Sequence, residues 1–157
     1  MTDPAVDSRL ASLVGVVVTR ATVSGNTLLL WIGAPPKSAD AKCLWVNPPW
    51  RIERESGQLV GSADIPWTAN DFEDENAFRQ EFDRVCALAC AMQSSRIERA
   101  SVLFLTTDLS MTFSNGLTFR SFDCKTGHDE SWHLSDYRTM ELFRVAPSGV
   151  MVEPLAP

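Results

Sequence analysis

The chain has 157 residues, enough for one domain with a substantial apolar interior. Its 14 basic and 20 acidic residues give a net charge of −6, which argues against nucleic acid as a partner. The apolar runs are too short to span a membrane and no basic leader precedes them, so we expect a cytoplasmic protein with no membrane attachment.

The first part of the chain predicts short strands. After a helical turn at Ser8–Leu13, β-branched residues predict a strand at Val14–Val23. Ser24-Gly25-Asn26 is typical of a turn, and Thr27–Ile32 is the predicted returning strand. Further strands are predicted at Cys43–Val46, Trp50–Arg54 and Leu59–Ile65.

One long helix is predicted at Asp71–Gln93, with Asn70 or Asp71 as its N-cap. Apolar residues recur along it at steps of three and four, which indicates one buried stripe. The stripe consists of Phe78, Phe82, Val85, Ala89 and Met92. Acidic residues crowd the start, where the helix dipole favours anions. They are Asp71, Glu73, Asp74 and Glu75.

The second half again predicts strands. The dense apolar run Val102–Leu105 predicts a central strand, and the segment 107–122 alternates apolar and polar residues on both sides of Asn115-Gly116. That dipeptide predicts a hairpin closed by a two-residue type I′ turn. Later strands are predicted at Ser131–Leu134 and Thr139–Val145, with an edge strand at Val150–Glu153.

A shift of 82 residues aligns the two halves of the chain. It places Val23 on Leu105, Leu29 on Met111, Trp31 on Phe113, Trp50 on Trp132 and Ile52 on Leu134. Alternating patterns also align by chance, so duplication and coincidence both stay open. The predicted fold is a single α+β domain over residues 1–157, mainly antiparallel sheet with one long helix packed on it. If the repeat is real, two β-meander halves span residues 8–66 and 71–153.

The second half carries two motifs, TDLSMTFSNGLTFRSF at 107–122 and DESWHLS at 129–135. This combination resembles a class of small bacterial β-rich proteins of unknown function, over about the last 70 residues of the chain. Some proteins of this kind act as immunity proteins against bacterial toxins. The resemblance implies a binding role, and it carries over no catalytic residue because the motif is structural.

The richest polar cluster is CKTGHDESWH at 124–133. Cys124, His128 and His133 are its candidate metal ligands, since zinc takes three or four thiolate, imidazole or carboxylate ligands. Strand alternation sends Trp132 and His133 to opposite faces, so a buried Trp132 would leave His133 towards solvent. A polar loop with an exposed histidine is therefore the simpler interpretation.

Two tryptophans are candidates for partner binding. Trp45 and Trp67 flank proline-rich breaks, in LWVNPPW and DIPWTAND. A large rigid aromatic in a loop often dominates a protein interface, although it also often covers a core.

These observations favour a non-enzymatic protein-binding domain, with immunity-type neutralisation of a bacterial toxin as its most specific form. No phosphate-binding glycine motif is present, and no cofactor is expected. The alternative function is a small metal-assisted hydrolase that uses the Cys124–His133 segment. A homodimer is also compatible with the sequence, because exposed sheet edges readily pair with themselves.

Overall fold

A computed structural model describes residues 3–103, 106–123 and 129–156. It contains the helices α1 (Pro4–Ala11) and α2 (Glu75–Ala89). The strands of the first half are β1 (Val18–Ser24), β2 (Thr27–Ile32), β3 (Lys42–Val46), β4 (Trp50–Arg54) and β5 (Gly57–Gly61). Those of the second half are β6 (Ile97–Val102), β7 (Leu109–Phe113), β8 (Thr118–Ser121), β9 (Trp132–Asp136), β10 (Glu141–Ala146) and β11 (Gly149–Pro154).

The strands form two antiparallel sheets, which confirms the predicted α+β fold with a mainly antiparallel sheet. One sheet has six strands in the order β1-β2-β3-β9-β10-β11, and the other has five in the order β5-β4-β8-β7-β6. Each half of the chain therefore builds a three-stranded meander in one sheet and then crosses into the other sheet. No helix in the described ranges is long and apolar enough to cross a membrane.

The two halves begin alike, each with a helix, a three-stranded meander and a crossover to the opposite sheet, where the first half adds two strands and the second adds three. The shift of 82 residues that aligns the sequences maps β4 onto β9 at both of its ends. The indole nitrogens of Trp50 and Trp132 make matching hydrogen bonds. Each donates to a backbone carbonyl shortly before β2 or β7, that of Asn26 (2.8 Å) or Thr107 (3.0 Å). A common origin of the halves stays a prediction.

The long helix is shorter than the sequence predicted. The Asp74 carboxylate accepts a hydrogen bond from the Ala77 amide at 2.7 Å, and this N-cap starts α2 at Glu75. The preceding residues Ala69–Asp71 form a separate 3-10 turn, capped by Thr68. α2 packs against β1 and β5, while α1 packs against β6. Each helix thus packs on strands from the other half of the chain.

The predicted strand at Val102–Leu105 is displaced. The strand ends at Val102, and β6 is an edge strand of the five-stranded sheet. Leu103 is 47% exposed, and residues 104 and 105 lie outside the described part of the chain. The prediction of a central strand was wrong because a short apolar run does not indicate where strand pairing ends or whether the strand lies at an edge.

The hairpin between β7 and β8 exists, but its turn differs from the predicted type I′ turn. The Phe113 amide bonds to the Leu117 carbonyl, so the loop has three residues, Ser114–Gly116. Only Gly116 takes a positive φ, +83°, whereas a type I′ turn needs positive φ at both central residues. A three-residue loop with glycine in the left-handed region explains the Asn-Gly signal equally well.

We expect Gly116→Ala to lower the free energy of unfolding by about 1–2 kcal/mol, because an alanine is strained at positive φ. No atom lies within 4 Å of the added Cβ, so the cost is conformational rather than steric. Urea unfolding measures the change, with Ser148→Ala in another exposed turn as the control. An unchanged stability would contradict the left-handed conformation.

The core lies between the two sheets as one apolar cluster to which both halves contribute. Trp50 and Trp132 are almost fully buried in it. Trp31 is also buried, but it lies in a second, small cluster with Ala41 and Cys43. Strand β2 places Trp31 on the opposite face from the core residue Leu30, so this cluster covers the outer face of the six-stranded sheet.

A salt bridge joins neighbouring strands of the six-stranded sheet, between the Lys42 ammonium and the buried Asp136 carboxylate (2.7 Å). The other oxygen of Asp136 accepts the amides of Arg138 and Thr139. Burial opposes ionisation, but the hydrogen bond and charge of Lys42, together with the two backbone amides, outweigh it and hold the pKa of Asp136 below its usual 3.8. The ionised carboxylate therefore stabilises the fold.

Asp136→Asn should lower the free energy of unfolding at neutral pH by about 1–3 kcal/mol. Because the folded pKa is depressed, the wild-type contribution is present above pH 3.8 and is lost as the pH falls through the folded value. The variant should consequently lose less stability on acidification than the wild type. Urea unfolding across this pH range checks both effects, and the exposed Asp40→Asn serves as control.

Candidate protein-binding surface

Trp67 is the most exposed large apolar side chain among the described residues, at 70%. It lies in the irregular stretch between Ile65, which is buried, and the 3-10 turn that begins at Ala69. Pro66 precedes it and fixes one backbone angle of the connection. The structure therefore places this sequence-predicted candidate in solvent rather than over the core.

Acidic residues surround Trp67 along the chain. Residues 64–84, which we call the Trp67 surface, contain seven carboxylates and two arginines, a net charge of −5 against −6 for the whole chain. The carboxylates are Asp64, Asp71, Glu73, Asp74, Glu75, Glu81 and Asp83, and all except the half-buried Glu81 are exposed. This segment thus holds most of the excess negative charge of the protein.

The two arginines of this segment pair within α2. Arg79 lies 3.3 Å from Glu75, and Arg84 lies 2.6 Å from Glu81. Such exposed pairs on one helix contribute little to stability because water screens them. They reduce but do not cancel the negative charge, so the surface remains suited to attract a cationic partner.

Aromatic side chains continue along the same segment. The Phe72 ring meets the Phe78 ring edge-on at 5.5 Å, and Phe78 lies 6.1 Å from Phe82. All three are half-buried, whereas Val85 and Ala89 further along α2 are fully buried. Burial of the apolar stripe therefore falls towards the N-terminus of α2, which leaves aromatic area accessible beside the carboxylates.

Trp45, the other predicted partner-binding residue, lies on the outer face of the six-stranded sheet and is half-buried. Its ring stacks on the His133 ring with centroids 5.5 Å apart, and its indole nitrogen donates to the Asn47 side chain at 3.2 Å. Trp45 is therefore held by neighbours in its own chain, and it is not part of the Trp67 surface.

His133 lies opposite Trp132 on β9, as strand alternation predicted, but it is not simply exposed. Trp45 covers one face of its ring, and its Nδ1 lies 2.6 Å from the Glu130 carboxylate. Arg144 lies 3.6 Å from the same carboxylate. Burial alone would raise the pKa of Glu130, but His133, Arg144 and a hydrogen bond from Asn47 together outweigh it and lower the pKa. Glu130 is thus an ionised partner that holds the imidazole in place.

Of the three predicted metal ligands, the structure describes only His133. Cys124 and His128 lie outside the described residues, so their distance from His133 is not part of the structure. Within the described ranges, no group of three or more His, Cys, Asp or Glu side chains could hold a metal ion. Burial raises the pKa of the Cys43 thiol to about 12, which keeps that thiol protonated and unreactive.

Comparison with known proteins adds no identity. No family model matches the chain, and neither curated proteins nor solved structures include a significant match. Its fold and surface define the class of the protein, an α+β protein with two antiparallel sheets and an acidic, aromatic exposed segment.

The acidic residues of the Trp67 surface are visible in the sequence, but at 71–75 they indicate a helix start rather than a binding surface. The acidic cluster at 71–75 is typical of a helix start, and Asp74 does cap α2. Asp71 and Glu73 precede the helix and are exposed. The signal for the surface is the net charge of −5 over the wider window 64–84, which includes Trp67.

Proposed function

We propose that this protein is a non-enzymatic binding protein whose Trp67 surface docks onto a basic surface of another protein. The observation that supports this proposal is the combination, within 21 residues, of a 70%-exposed tryptophan and a net charge of −5. Neither feature is needed by the core described above. Together they suit a partner with cationic groups around an apolar contact.

The physical roles of the two features differ. Trp67 would supply apolar contact area at little entropic cost, because its side chain has only two rotatable bonds, and such residues often carry much of the binding energy. The carboxylates would accelerate encounter with a cationic surface and disfavour acidic partners. A partner bound in this way should associate more slowly as salt is added.

The most specific form of the proposal is immunity-type neutralisation of a basic bacterial toxin in the cytoplasm. It rests on the resemblance of residues 107–135 to small bacterial proteins of that kind, together with the acidic charge. An acidic inhibitor that covers a basic active face would need no catalytic group of its own.

Affinity capture from the native host tests the proposal. The tagged full-length chain and its Trp67→Ala variant are compared as baits, and mass spectrometry identifies the retained proteins. We expect a basic protein that the wild type retains and the variant loses. Identical retention by both baits, or retention of acidic proteins only, would refute the assigned surface.

A further inference from the structure

A second surface lies at the far end of the six-stranded sheet, away from β1, which α2 contacts. Strand β11 is the last strand there, so its outer edge is not hydrogen-bonded to another strand of the described chain. The pairing of β11 with β10 is regular over all six residues, without a bulge. Regular, unprotected edges are the ones that accept another strand.

The side chains of β11 are apolar where the edge is open. Met151 is 56% exposed and Val152 is 53% exposed, on opposite faces of the strand. No lysine occurs in β11. Its only charged residue, Glu153, forms a salt bridge with Arg144 of β10, with the carboxylate 3.2 Å from the guanidinium Nε. The edge thus lacks most of the features that normally prevent strand addition.

The free backbone groups of this edge can be assigned. The Leu155 amide donates to the carbonyl of Met140, the residue just before β10. Along a strand, successive residues direct their backbone hydrogen bonds to opposite sides. Gly149, Met151 and Glu153 therefore bond inwards, while Val150 and Val152 direct their amides and carbonyls outwards. Pro154 also faces outwards, where its missing amide costs no hydrogen bond within the sheet.

The side chains of the strand are self-complementary as well, because the sequence Val150-Met151-Val152 is the same in both directions. Two antiparallel copies related by a two-fold axis at Met151 place each Val150 opposite the Val152 of the other copy. Every outward amide and carbonyl of the two valines then finds a partner, which gives four hydrogen bonds. The two Met151 side chains meet across the axis, and Glu153 faces Gly149 rather than a second carboxylate.

We propose that the occupant of this edge is a second copy of the chain, which forms a two-fold dimer with a continuous twelve-stranded sheet. The match of an identical strand to itself is the requirement of such an isologous contact. The dimer leaves the Trp67 surface free, since that surface belongs to the opposite end of the sheet, and it stands independently of the proposed function.

Cysteine cross-linking tests the register. In the proposed dimer, Met151 and its symmetry mate form a non-hydrogen-bonded pair with Cα atoms about 4.5 Å apart, which permits a disulfide. Met151→Cys should form covalent dimers under mild oxidation, visible on a non-reducing gel. Glu153→Cys, whose symmetry mate lies four strand positions away, should not cross-link above the level of the wild type. Equal cross-linking of the two variants would overturn the register.

Sedimentation of the unmodified protein tests the dimer itself. We expect a reversible monomer–dimer equilibrium, weakened at least about tenfold by Val152→Pro, which removes an outward amide without breaking the β10–β11 pairing. Val14→Lys, at an exposed apolar side chain elsewhere, should leave the equilibrium unchanged. A wild type that stays monomeric across the micromolar range would overturn the proposal, whatever the Trp67 variants do.

Discussion

Replacing Trp132 with alanine is expected to lower the free energy of unfolding by about 3–5 kcal/mol, the cost of removing a large buried aromatic. Trp132 is fully buried at the start of β9, and its ring lies 6.3 Å from that of Phe143. Its indole nitrogen also satisfies the Thr107 carbonyl next to β7. The variant therefore loses core volume and a contact between the two sheets at once.

Two further variants separate these contributions. Trp132→Phe keeps most of the apolar volume but leaves the Thr107 carbonyl without its donor, so we expect a smaller loss, about 1–3 kcal/mol. Trp67→Ala removes the same side chain from a 70%-exposed position and should change stability by less than about 0.5 kcal/mol. Urea unfolding measures all three, and similar losses for Trp132→Ala and Trp67→Ala would contradict the assigned burial.

Sequence reasoning recovered strand bounds best where turn residues or prolines bracket the strand, as for Thr27–Ile32, which has the bounds of β2. Trp50–Arg54 was predicted with the bounds that β4 has, because alternation and the preceding prolines define both ends. It failed where the end of an element depends on a side-chain bond. The start of α2 is set by the Asp74 cap, whereas Asn70 and Asp71, the predicted caps, are equally suitable residue types in the sequence.

Which strands share a sheet could not be predicted from local pattern. β3 and β4 are separated by only Asn47-Pro48-Pro49, yet they belong to different sheets. The prolines indicated a break but not its direction. The long-range pairs β3–β9 and β4–β8 are determined by which apolar faces fit together across the core, and such tertiary packing leaves no signature in a short window.

The role of Trp67 in partner binding stays a prediction, and only its exposure is observed. Trp67 was identified from its proline-rich context, whereas the same reasoning gave Trp45 equal weight. What distinguishes them is the partner of Trp45, the His133 ring, which lies 88 positions away in the sequence and reaches it through the pairing of β3 with β9. Contacts of this separation are invisible to local composition.

The second large effect concerns binding. With the partner identified by capture, Trp67→Ala should weaken the complex by at least about 2 kcal/mol, roughly thirtyfold in Kd, because the exposed indole is the largest apolar group of the Trp67 surface. Calorimetry or surface plasmon resonance measures the loss. Leu103→Ala, at another exposed apolar residue, is the matched control and should leave Kd unchanged.

Charge reversal examines the electrostatic half of the same surface. Glu73→Lys with Asp83→Lys changes two exposed carboxylates and should slow association with a basic partner, most clearly at low salt. Trp67→Ala should act mainly on dissociation, because apolar contacts form after encounter. If Trp45→Ala weakened the complex while Trp67→Ala did not, the partner would instead occupy the outer face of the six-stranded sheet, and the acidic segment would serve solubility alone.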